Sequence, residues 1–529
     1  MLFNSYEFIF LFLPATFIIF FAIARLGHET AIAWLVIASL FFYGWWNPAY
    51  LILILLSMVV NFGLGNFLSN TYKLGQIKRS KLCLTLGISL NLGVLGYFKY
   101  AGFFIINLNS ITGTNIDLGH IVLPLAISFF TFQQIAYLVD AYKGITQEYR
   151  FSHYALFVTF FPQLIAGPIV HHNEMLPQFM HQNSLKPRLE NVAIGLSIFS
   201  IGLFKKTVLA DGVANYSTPV FAAAAAGETL SFFVAWGGAL AYTMQLYFDF
   251  SGYSDMAIGS ARLFGIRLPL NFHSPYKATS IVEFWRRWHM TLSRFLRDYL
   301  YIPLGGSRRS KVRRYFNLMA TMFLGGLWHG AGWTFVAWGG LHGLYLVVNH
   351  AWHRARQMLG WSDGHTSSRI GKLMAWLITF VAVVVGWVFF RATDFHSAVA
   401  ILKGMFGING VALPNAILAR IGGVGDWLQD LGVRAYLSGG SDFLFTYLWV
   451  ISLLLVVLLM PNTQQIMSRF EPALRIYRSD SKYEIRLGER LTSRLLWQPS
   501  AGWSLMIGVV AALGILALTS ISEFLYFQF

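Results

Sequence analysis

Apolar segments long enough to cross a lipid bilayer recur along the whole of this 529-residue chain. A transmembrane helix needs about 20 predominantly apolar residues. The segments that come closest to this requirement are 8–26, 31–43, 49–68, 82–106, 121–139, 231–250, 373–390, 444–460 and 503–519, with weaker candidates at 154–170, 193–210 and 316–348. Soluble domains contain about 25% charged residues, whereas this chain contains 12%. The sequence therefore excludes a soluble globular protein and predicts an all-α polytopic membrane protein.

The charges of the loops indicate how these spans are oriented, because Lys and Arg are enriched in cytoplasmic loops. Residues 71–81 contain four Lys and Arg residues, and residues 107–120 contain none. We therefore expect the first loop inside, the second outside, and an uncleaved first helix whose N-terminus lies outside. The Gly-rich segment 394–441 is predicted to be an external loop with short helices. Lys205 and Lys206 fall near an outer end in this orientation, which the loop charges do not explain.

The long apolar stretch 316–348 contains seven glycines, and those at positions 325, 326, 330, 332, 339 and 340 interrupt it. We expect it to bend or re-enter the membrane. Irregular backbone at membrane depth is tolerated only where protein or a water-filled cavity covers it. With this feature, residues 1–529 are predicted to form one membrane-embedded domain with about ten crossings and re-entrant segments.

Positive charge is concentrated in one segment of the chain. Residues 262–314 contain twelve Lys and Arg residues and two acids, so they supply +10 of the formal net charge of +16. In a membrane protein such an excess indicates a cytoplasmic or interfacial segment, and no nucleic-acid partner is expected. Its final part, 307–314 (SRRSKVRR), is predicted to anchor the protein to anionic lipid.

The earlier part of this basic segment has a different pattern. Residues 280–302 predict an amphipathic helix, whose apolar face consists of Phe284, Trp288, Leu292, Phe295 and Tyr299. The arginines of the segment, which are Arg286, Arg287, Arg294 and Arg297, lie largely on other faces. A helix of this kind lies in the membrane interface or lines a cavity. It also carries His289, which a simple anchor does not require.

His329 lies in the apolar sequence LGGLWHGAGW. An ionisable side chain inside a hydrophobic span indicates a functional site. A neutral imidazole accepts a proton from a hydroxyl, which makes His329 a candidate general base. The alternative is a packed histidine that bonds to a neighbouring helix. Packing or loop roles are predicted for the other histidines of the region, which are His171, His172, His342 and His350.

Other patterns are less specific. Asp249 and Asp255 could orient a histidine, cap the next helix, or join His289 and His329 in a metal site, but no metalloprotease-type His spacing supports a metal. The single cysteine, Cys83, excludes an intramolecular disulfide and a Cys-rich metal centre. We therefore predict neither a metal nor a bound cofactor.

Five stretches resemble the membrane-bound O-acyltransferase family, and specifically its alginate O-acetyltransferase branch. They are 128–134 (SFFTFQQ), 161–168 (FPQLIAGP), 245–255, 271–303 and 325–343 (GGLWHGAGWTFVAWGGLHG). The resemblance implies a ring of tilted helices around a central funnel, with His329 as the family's invariant histidine and His289 as its second polar active-site residue. It also implies transfer of an acyl group from a cytoplasmic thioester to a hydroxyl.

For this branch, the resemblance implies a protein of the bacterial inner membrane that passes acetyl groups towards an exported polysaccharide such as alginate, with periplasmic acetyltransferase partners. Acetyl-CoA is the expected donor. Its phosphates would suit a cytoplasmic mouth that carries Arg286, Arg287, Arg294 and Arg297, although lipid anchoring is an alternative role for these arginines. Trp328, Asp249 and Asp255 are further candidates for contact with donor or substrate.

Two other classes of protein share some of these features. A secondary transporter also has broken helices and intramembrane histidines, although two similar halves with paired interruptions are absent from this sequence. A non-catalytic export or scaffold component would use the predicted external loop 394–441 to recruit soluble enzymes. Acetyl transfer that depends on His329 would separate an enzyme from both.

Overall fold

The computed structural model describes residues 1–119, 121–145, 150–180, 186–308, 310–360, 368–437, 439–474, 493–519 and 525. They are mostly helical. Before the central helix, the helices are Glu7–Phe12, Leu13–Ile23, His28–Gly44, Tyr50–Lys73, Ile77–Leu95, Gly96–Tyr100, Ala101–Thr112, Ile127–Tyr142, Phe151–Thr159, Phe161–Leu164, His172–Met180, Leu189–Phe204, Lys205–Ala210 and Asp211–Ala225. The central helix is Phe232–Leu263.

After the central helix come Pro275–Lys277, Ile281–Arg287, Met290–Leu296, Arg297–Tyr301, Lys311–His329, Trp333–Met358, Arg369–Arg391, Phe395–Met405, Asn415–Arg420, Gly423–Asp430, Gly440–Leu459, Thr463–Ile466, Ser468–Phe470, Ala501–Leu516 and Ala517–Thr519. Four short elements are π-helical: Glu7–Phe12, Gly96–Tyr100, Lys205–Ala210 and Arg297–Tyr301. π-Helical turns occur frequently at functional sites.

Among the described residues, five helical segments are long and apolar enough to cross a membrane: Tyr50–Lys73, Ile77–Thr112, Leu189–Ala225, Arg369–Arg391 and Gly440–Leu459. Each coincides with a predicted span, to within one residue where the span extends beyond the helix. Three predicted spans correspond to shorter apolar helices, Glu7–Ile23, His28–Gly44 and Ala501–Leu516. The chain is thus a mostly helical, multi-pass protein. The count of about ten crossings and the ring around a funnel stay predictions.

The central helix organises the core. From Ala235 to Leu263 almost all of its side chains are buried, and helix Leu189–Phe204 packs directly on its backbone. A Cβ atom on Gly259 would lie 2.6 Å from the carbonyl oxygen of Gly195, so this contact requires glycine. Such close approach through small residues is the usual way in which membrane helices pack.

The prediction of one continuous helix over 280–302 is wrong. The chain forms Ile281–Arg287, breaks, resumes as Met290–Leu296 and ends in a π-helical turn. The break occurs because the backbone at this point pairs with the preceding loop: Met290 N–H donates to the carbonyl of Asn271 at 2.9 Å, and His273 N–H donates to that of Arg287 at 2.9 Å. A periodicity argument does not detect hydrogen bonds of this kind.

The predicted interruption of 316–348 is confirmed. Helix Lys311–His329 ends at Gly330, and the next helix, Trp333–Met358, packs back against it. The hairpin is tight, because a Cβ atom on Gly326 would lie 2.3 Å from the carbonyl oxygen of Phe335. This reversal places His329 at the end of a helix.

The segment 394–441 contains the expected short helices, Phe395–Met405, Asn415–Arg420 and Gly423–Asp430. It also contains two three-residue parallel strands, Ala412–Pro414 and Arg434–Tyr436, which the sequence did not predict. The external position of this segment stays a prediction. Most of the basic anchor 307–314 is described, but Arg309 lies outside the described residues.

Candidate active site

His329 is the last residue of helix Lys311–His329 and is 5% exposed. Aromatic rings enclose its imidazole, with the ring centroids of Trp328, Trp338 and Phe390 at 4.9, 5.1 and 5.2 Å from its own. All three rings meet the imidazole edge to face. The helix end thus presents the imidazole inside an aromatic pocket.

His289 lies at the break between Ile281–Arg287 and Met290–Leu296, with no exposed surface. Its backbone is left-handed, with φ 42° and ψ 53°. The Nδ1 atom is 3.1 Å from Oδ1 of Asn271, and the same oxygen accepts hydrogen bonds from the Thr291 hydroxyl at 2.9 Å and the Thr291 backbone N–H at 3.4 Å. An amide oxygen can only accept hydrogen bonds, so Nδ1 carries the proton, and in the neutral ring Nε2 keeps its lone pair.

The structure brings the two predicted histidines together. The imidazole centroids of His289 and His329 are 6.3 Å apart. Trp328 adjoins both, with its ring centroid 6.3 Å from that of His289 and 4.9 Å from that of His329. The Trp328 ring is 5% exposed and stacks on Phe132 at 5.3 Å, so it forms a wall of the site.

The part of the chain that carries this site matches known proteins in sequence. The model of the membrane-bound O-acyltransferase family matches residues 140–386. The chain is 48% identical over 440 residues to the peptidoglycan O-acetyltransferase of Helicobacter pylori. This alignment covers 78% of this chain and 81% of that protein. The chain belongs to the membrane-bound O-acyltransferase family. It is therefore a membrane-embedded acyltransferase.

Other relatives have names that indicate different activities. The probable alginate O-acetylase AlgI of Pseudomonas aeruginosa is 41% identical, over 80% of this chain and 78% of that protein. The teichoic acid D-alanyltransferase of Streptococcus thermophilus is 31% identical over a shorter match, 44% of this chain and 59% of that protein. The family match includes His289 and His329, whereas their chemical roles stay predictions.

Two of the four predicted donor-binding arginines of this acyltransferase are buried in ion pairs. The Arg287 guanidinium has no exposed surface, and its Nε is 2.6 Å from Oε1 of Glu283. Arg294 is 10% exposed and forms two parallel hydrogen bonds, of 2.7 and 2.9 Å, to the carboxylate of Glu174. Arg294 connects its helix to helix His172–Met180 through Glu174, whereas Arg287 pairs within its own helix and donates to the carbonyl of His273 at 3.5 Å. Both guanidinium groups are largely withdrawn from the surface.

The other two arginines are accessible. The side chain of Arg286 is 57% exposed, with its nearest carboxylate oxygen 3.9 Å away on Glu283. The side chain of Arg297 is 59% exposed and pairs with Asp298 at 2.7 Å. Exposed ion pairs are weak, so these two guanidinium groups remain available to an anionic ligand.

Asp249 and Asp255 neutralise lysines inside the helical core. Lys205 Nζ lies 2.7 Å from Asp255 Oδ2, and Lys206 Nζ lies 2.8 Å from Asp249 Oδ1. Both acids lie in the interior of Phe232–Leu263, so the alternative that they cap the next helix is wrong. Among the described residues, neither acid joins the histidines in a group with metal-ligand spacing. These pairs also explain two lysines that the loop-charge pattern left unexplained.

A further histidine, His342, lies near His329 in addition to His289. On a continuous helix it would face away from His329, but the reversal of the chain returns it to the same aromatic cluster. Trp338 lies between them, with its ring centroid 5.1 Å from that of His329 and 4.9 Å from that of His342. His342 Nδ1 accepts a hydrogen bond from Trp285 at 3.3 Å, in agreement with a packing role.

His171 belongs to a separate polar network. Its Nδ1 lies 3.2 Å from the hydroxyl of Tyr299, which is 3.0 Å from Oδ1 of Asp140. Asp140 lies just beyond the predicted span 121–139, and burial raises the pKa of its carboxyl group to about 6. The other two histidines also have neighbours: the His172 ring meets Phe157, and His350 lies 3.2 Å from Arg314.

Two features near the histidines were missed by sequence reasoning. Lys99 Nζ donates to the carbonyl oxygens of Trp328 at 2.5 Å and His329 at 3.3 Å. A signal for it existed, because a charged residue within a predicted span marks a functional candidate. Asn271 had no such signal, since nothing in the sequence connects it to His289, which lies 18 residues further along the chain.

Two further features of the structure include neither His289 nor His329. The donor atoms of His28, Glu29 and His153 lie within 4.8 Å of one another, which would suit a metal ion. The Glu29 carboxylate, however, is already paired with Arg150. A small pocket is lined by residues that include Asn271, so Asn271 contacts both this pocket and His289.

Proposed function

We propose that this acyltransferase takes an acetyl group from acetyl-CoA on the cytoplasmic side and passes it across the bacterial inner membrane for O-acetylation of an exported polysaccharide. The observation that carries the proposal is the close approach of His289 and His329, 6.3 Å apart and buried together in the family-matched part of the chain. In this proposal the helices surround a funnel that gives substrates access to the pair.

The chemistry needs one base and good alignment. A thioester is already activated, so the acceptor hydroxyl attacks its carbonyl carbon directly. The new C–O bond forms, the C–S bond breaks, and the hydroxyl proton passes through a base to the thiolate of CoA. We assign His329 as this base, which contributes about 10²–10⁴-fold. Alignment of donor and acceptor contributes up to about 7–11 kcal/mol.

His289 is assigned to the acceptor. Because its Nδ1 proton is bonded to Asn271, the neutral ring offers the Nε2 lone pair to the site. A lone pair accepts a hydrogen bond from a hydroxyl but does not donate one to a thioester carbonyl. The attacking hydroxyl has a single proton, which His329 removes. The Nε2 lone pair of His289 therefore accepts a hydrogen bond from another donor group of the acceptor and holds the acceptor in place.

The donor is held by charge at the surface of the basic segment. The exposed arginines Arg286 and Arg297 contact the phosphates of acetyl-CoA, whereas the ion-paired Arg287 and Arg294 shape the segment. Phosphates are favoured partners of accessible guanidinium groups. Trp328 forms a wall of the site next to the reacting acyl group.

The final acceptor of the acetyl group is a polymer of the cell envelope or an exported polysaccharide. Relatives that cover about four fifths of this chain carry the names peptidoglycan O-acetyltransferase and probable alginate O-acetylase. In this proposal a periplasmic acetyltransferase partner receives the acetyl group and completes the modification. Peptidoglycan and alginate are therefore the two polymers to compare.

The test is a turnover assay on purified protein with radiolabelled acetyl-CoA and a peptidoglycan or alginate fragment, with and without the periplasmic partner. We expect release of CoA and transfer of label, and at least about a 100-fold loss of kcat in His329→Ala. His396→Ala is the control, because His396 is exposed on helix Phe395–Met405. Wild-type turnover in His329→Ala would contradict the catalytic assignment, and substrate flux without acetyl transfer would favour a transporter.

A further inference from the structure

A lysine lies within one of the helical segments that are apolar enough to cross a membrane. Residues Ile77–Thr112 form one helical segment with a mean hydropathy suited to a membrane span, and Lys99 lies inside it, on the π-helical turn Gly96–Tyr100. A charged residue in a span costs about 2.5–3.5 kcal/mol. Such a residue needs a partner within the protein.

Its partners are at the end of the helix that carries His329. The last four carbonyl groups of an α-helix have no donors within the helix, and no water satisfies them in a bilayer. In helix Lys311–His329 the first of the four, on Gly326, is bonded by the N–H of Gly330 at 3.4 Å. The chain then turns away, so the remaining three carbonyls require donors from elsewhere.

The π-helical turn supplies all three. The hydroxyl of Tyr100 donates to the carbonyl of Leu327 at 3.0 Å, and Lys99 Nζ donates to those of Trp328 and His329. The negative end of the helix dipole also stabilises a cation at this position. Because the inserted residue of a π-turn changes which side chains share a face, it allows two consecutive residues to reach one helix end.

We propose that Lys99, together with Tyr100, is a positioning residue that holds His329 and Trp328 in their reactive orientation. Helix ends fray, and His329 is the terminal residue of its helix. The hydrogen bonds from Lys99 and Tyr100 to this helix end, called the clamp below, fix the backbone of His329 directly. Lys99 Nζ also lies 5.8 Å from the centroid of the Trp328 ring. This inference rests on the proposed function, because it concerns the base that function requires.

The experiment compares Lys99→Met, which removes the donors but keeps the volume, with Lys99→Gln, which keeps amide donors without the charge. Tyr100→Phe removes the other half of the clamp. Lys78→Met is the control, because Lys78 is an exposed lysine on the preceding helix, Ile77–Leu95. We expect Lys99→Met to lower kcat by about 100-fold with an unchanged KM for acetyl-CoA, and Lys99→Gln to restore part of it. Lys78→Met should behave as the wild type.

Hydrogen–deuterium exchange of the peptide that spans 325–332 provides a readout without substrate. Exchange should be faster in Lys99→Met and Tyr100→Phe than in the wild type. Unchanged exchange would overturn the proposal even if acetyl-CoA proves to be the wrong donor, whereas absence of wild-type turnover would overturn only the proposed function. If Lys99→Met does not fold, wild-type kcat in both Lys99→Gln and Tyr100→Phe would also overturn it.

Discussion

His289 has a backbone conformation that residues other than glycine rarely adopt. A left-handed residue of this kind costs about 1–3 kcal/mol and persists only when its surroundings impose it. Here the loop that contains Asn271 imposes it, through the backbone bond to Met290 and the side-chain bonds to His289 and Thr291. The same amide sets the tautomer of His289, so strain and proton position have one cause.

This dependence gives a prediction at the scale of one residue. Asn271→Ala should lower kcat by about 100-fold, because His289 loses both its tautomer and its orientation. Asn271→Asp, whose carboxylate still accepts from Nδ1, should restore part of the rate. Steady-state kinetics on folded protein measure both. Asn409→Ala is the control, because it removes an amide that donates to the carbonyl of Leu230, away from the site. Equal rates in Asn409→Ala and Asn271→Ala would contradict the role of Asn271.

At the scale of elements, the site depends on the tight hairpin of helices Lys311–His329 and Trp333–Met358. Their backbones meet where a Cβ atom on Gly326 would lie 2.3 Å from the Phe335 carbonyl oxygen, and one on Gly339 would lie 2.3 Å from that of Met322. Backbone atoms cannot yield as a flexible side chain does. The separation of these helices therefore determines where His329 lies.

Gly326→Ala should consequently push the two helices apart. We expect a loss of about 1–3 kcal/mol in stability and a lower kcat, because His329 follows three residues later on the same helix. Thermal unfolding in detergent and acetyl transfer measure the two effects. Gly93→Ala is the matched control, since a Cβ atom there meets nothing within 4 Å; it should keep or slightly raise the unfolding temperature. An unfolding temperature for Gly326→Ala equal to that of Gly93→Ala would show that the hairpin tolerates a side chain.

For the whole molecule, the Lys and Arg residues behind the formal net charge of +16 have different roles. Lys205 and Lys206 neutralise acids inside the helical core, and Arg287 and Arg294 pair with acids near the site. Other basic residues, such as Arg286 and Arg297, remain at the surface. Each of the four buried cations pairs with an acid, so the pairs leave the net charge unchanged but reduce the number of Lys and Arg residues that face lipid or donor. Only the exposed part can indicate the orientation of the chain.

Cysteine labelling tests that orientation. In a Cys83→Ser background, Leu437→Cys in the predicted external segment should react with a membrane-impermeant maleimide in intact spheroplasts. Val312→Cys in the basic segment should react only after permeabilisation. The two native side chains are 83% and 80% exposed, so a difference in labelling reports the side of the membrane and not burial. Labelling of Val312→Cys in intact spheroplasts would reverse the predicted topology.

Much of this protein was predictable from local pattern. Apolar length predicted the membrane class and five long helical segments, the glycines predicted the break after His329, and specific stretches predicted the family. The prediction failed at 280–302, because its apolar period continues through the break at His289. The spacing of apolar residues reports only which side chains avoid water. It continues through the break because the short helices on either side of His289 both bury residues of the predicted apolar face.

The sequence by itself determined that the chain spans a membrane, belongs to one acyltransferase family and carries two candidate histidines. Only the tertiary structure decided how these histidines are held. Asn271 orients His289, Lys99 clamps the end of the His329 helix across 230 residues of chain, and buried acids remove half of the apparent donor-binding arginines. Each of these contacts is a hydrogen bond or ion pair between distant segments. Such bonds depend on where the folded backbone brings donors and acceptors, which residue type and spacing do not specify.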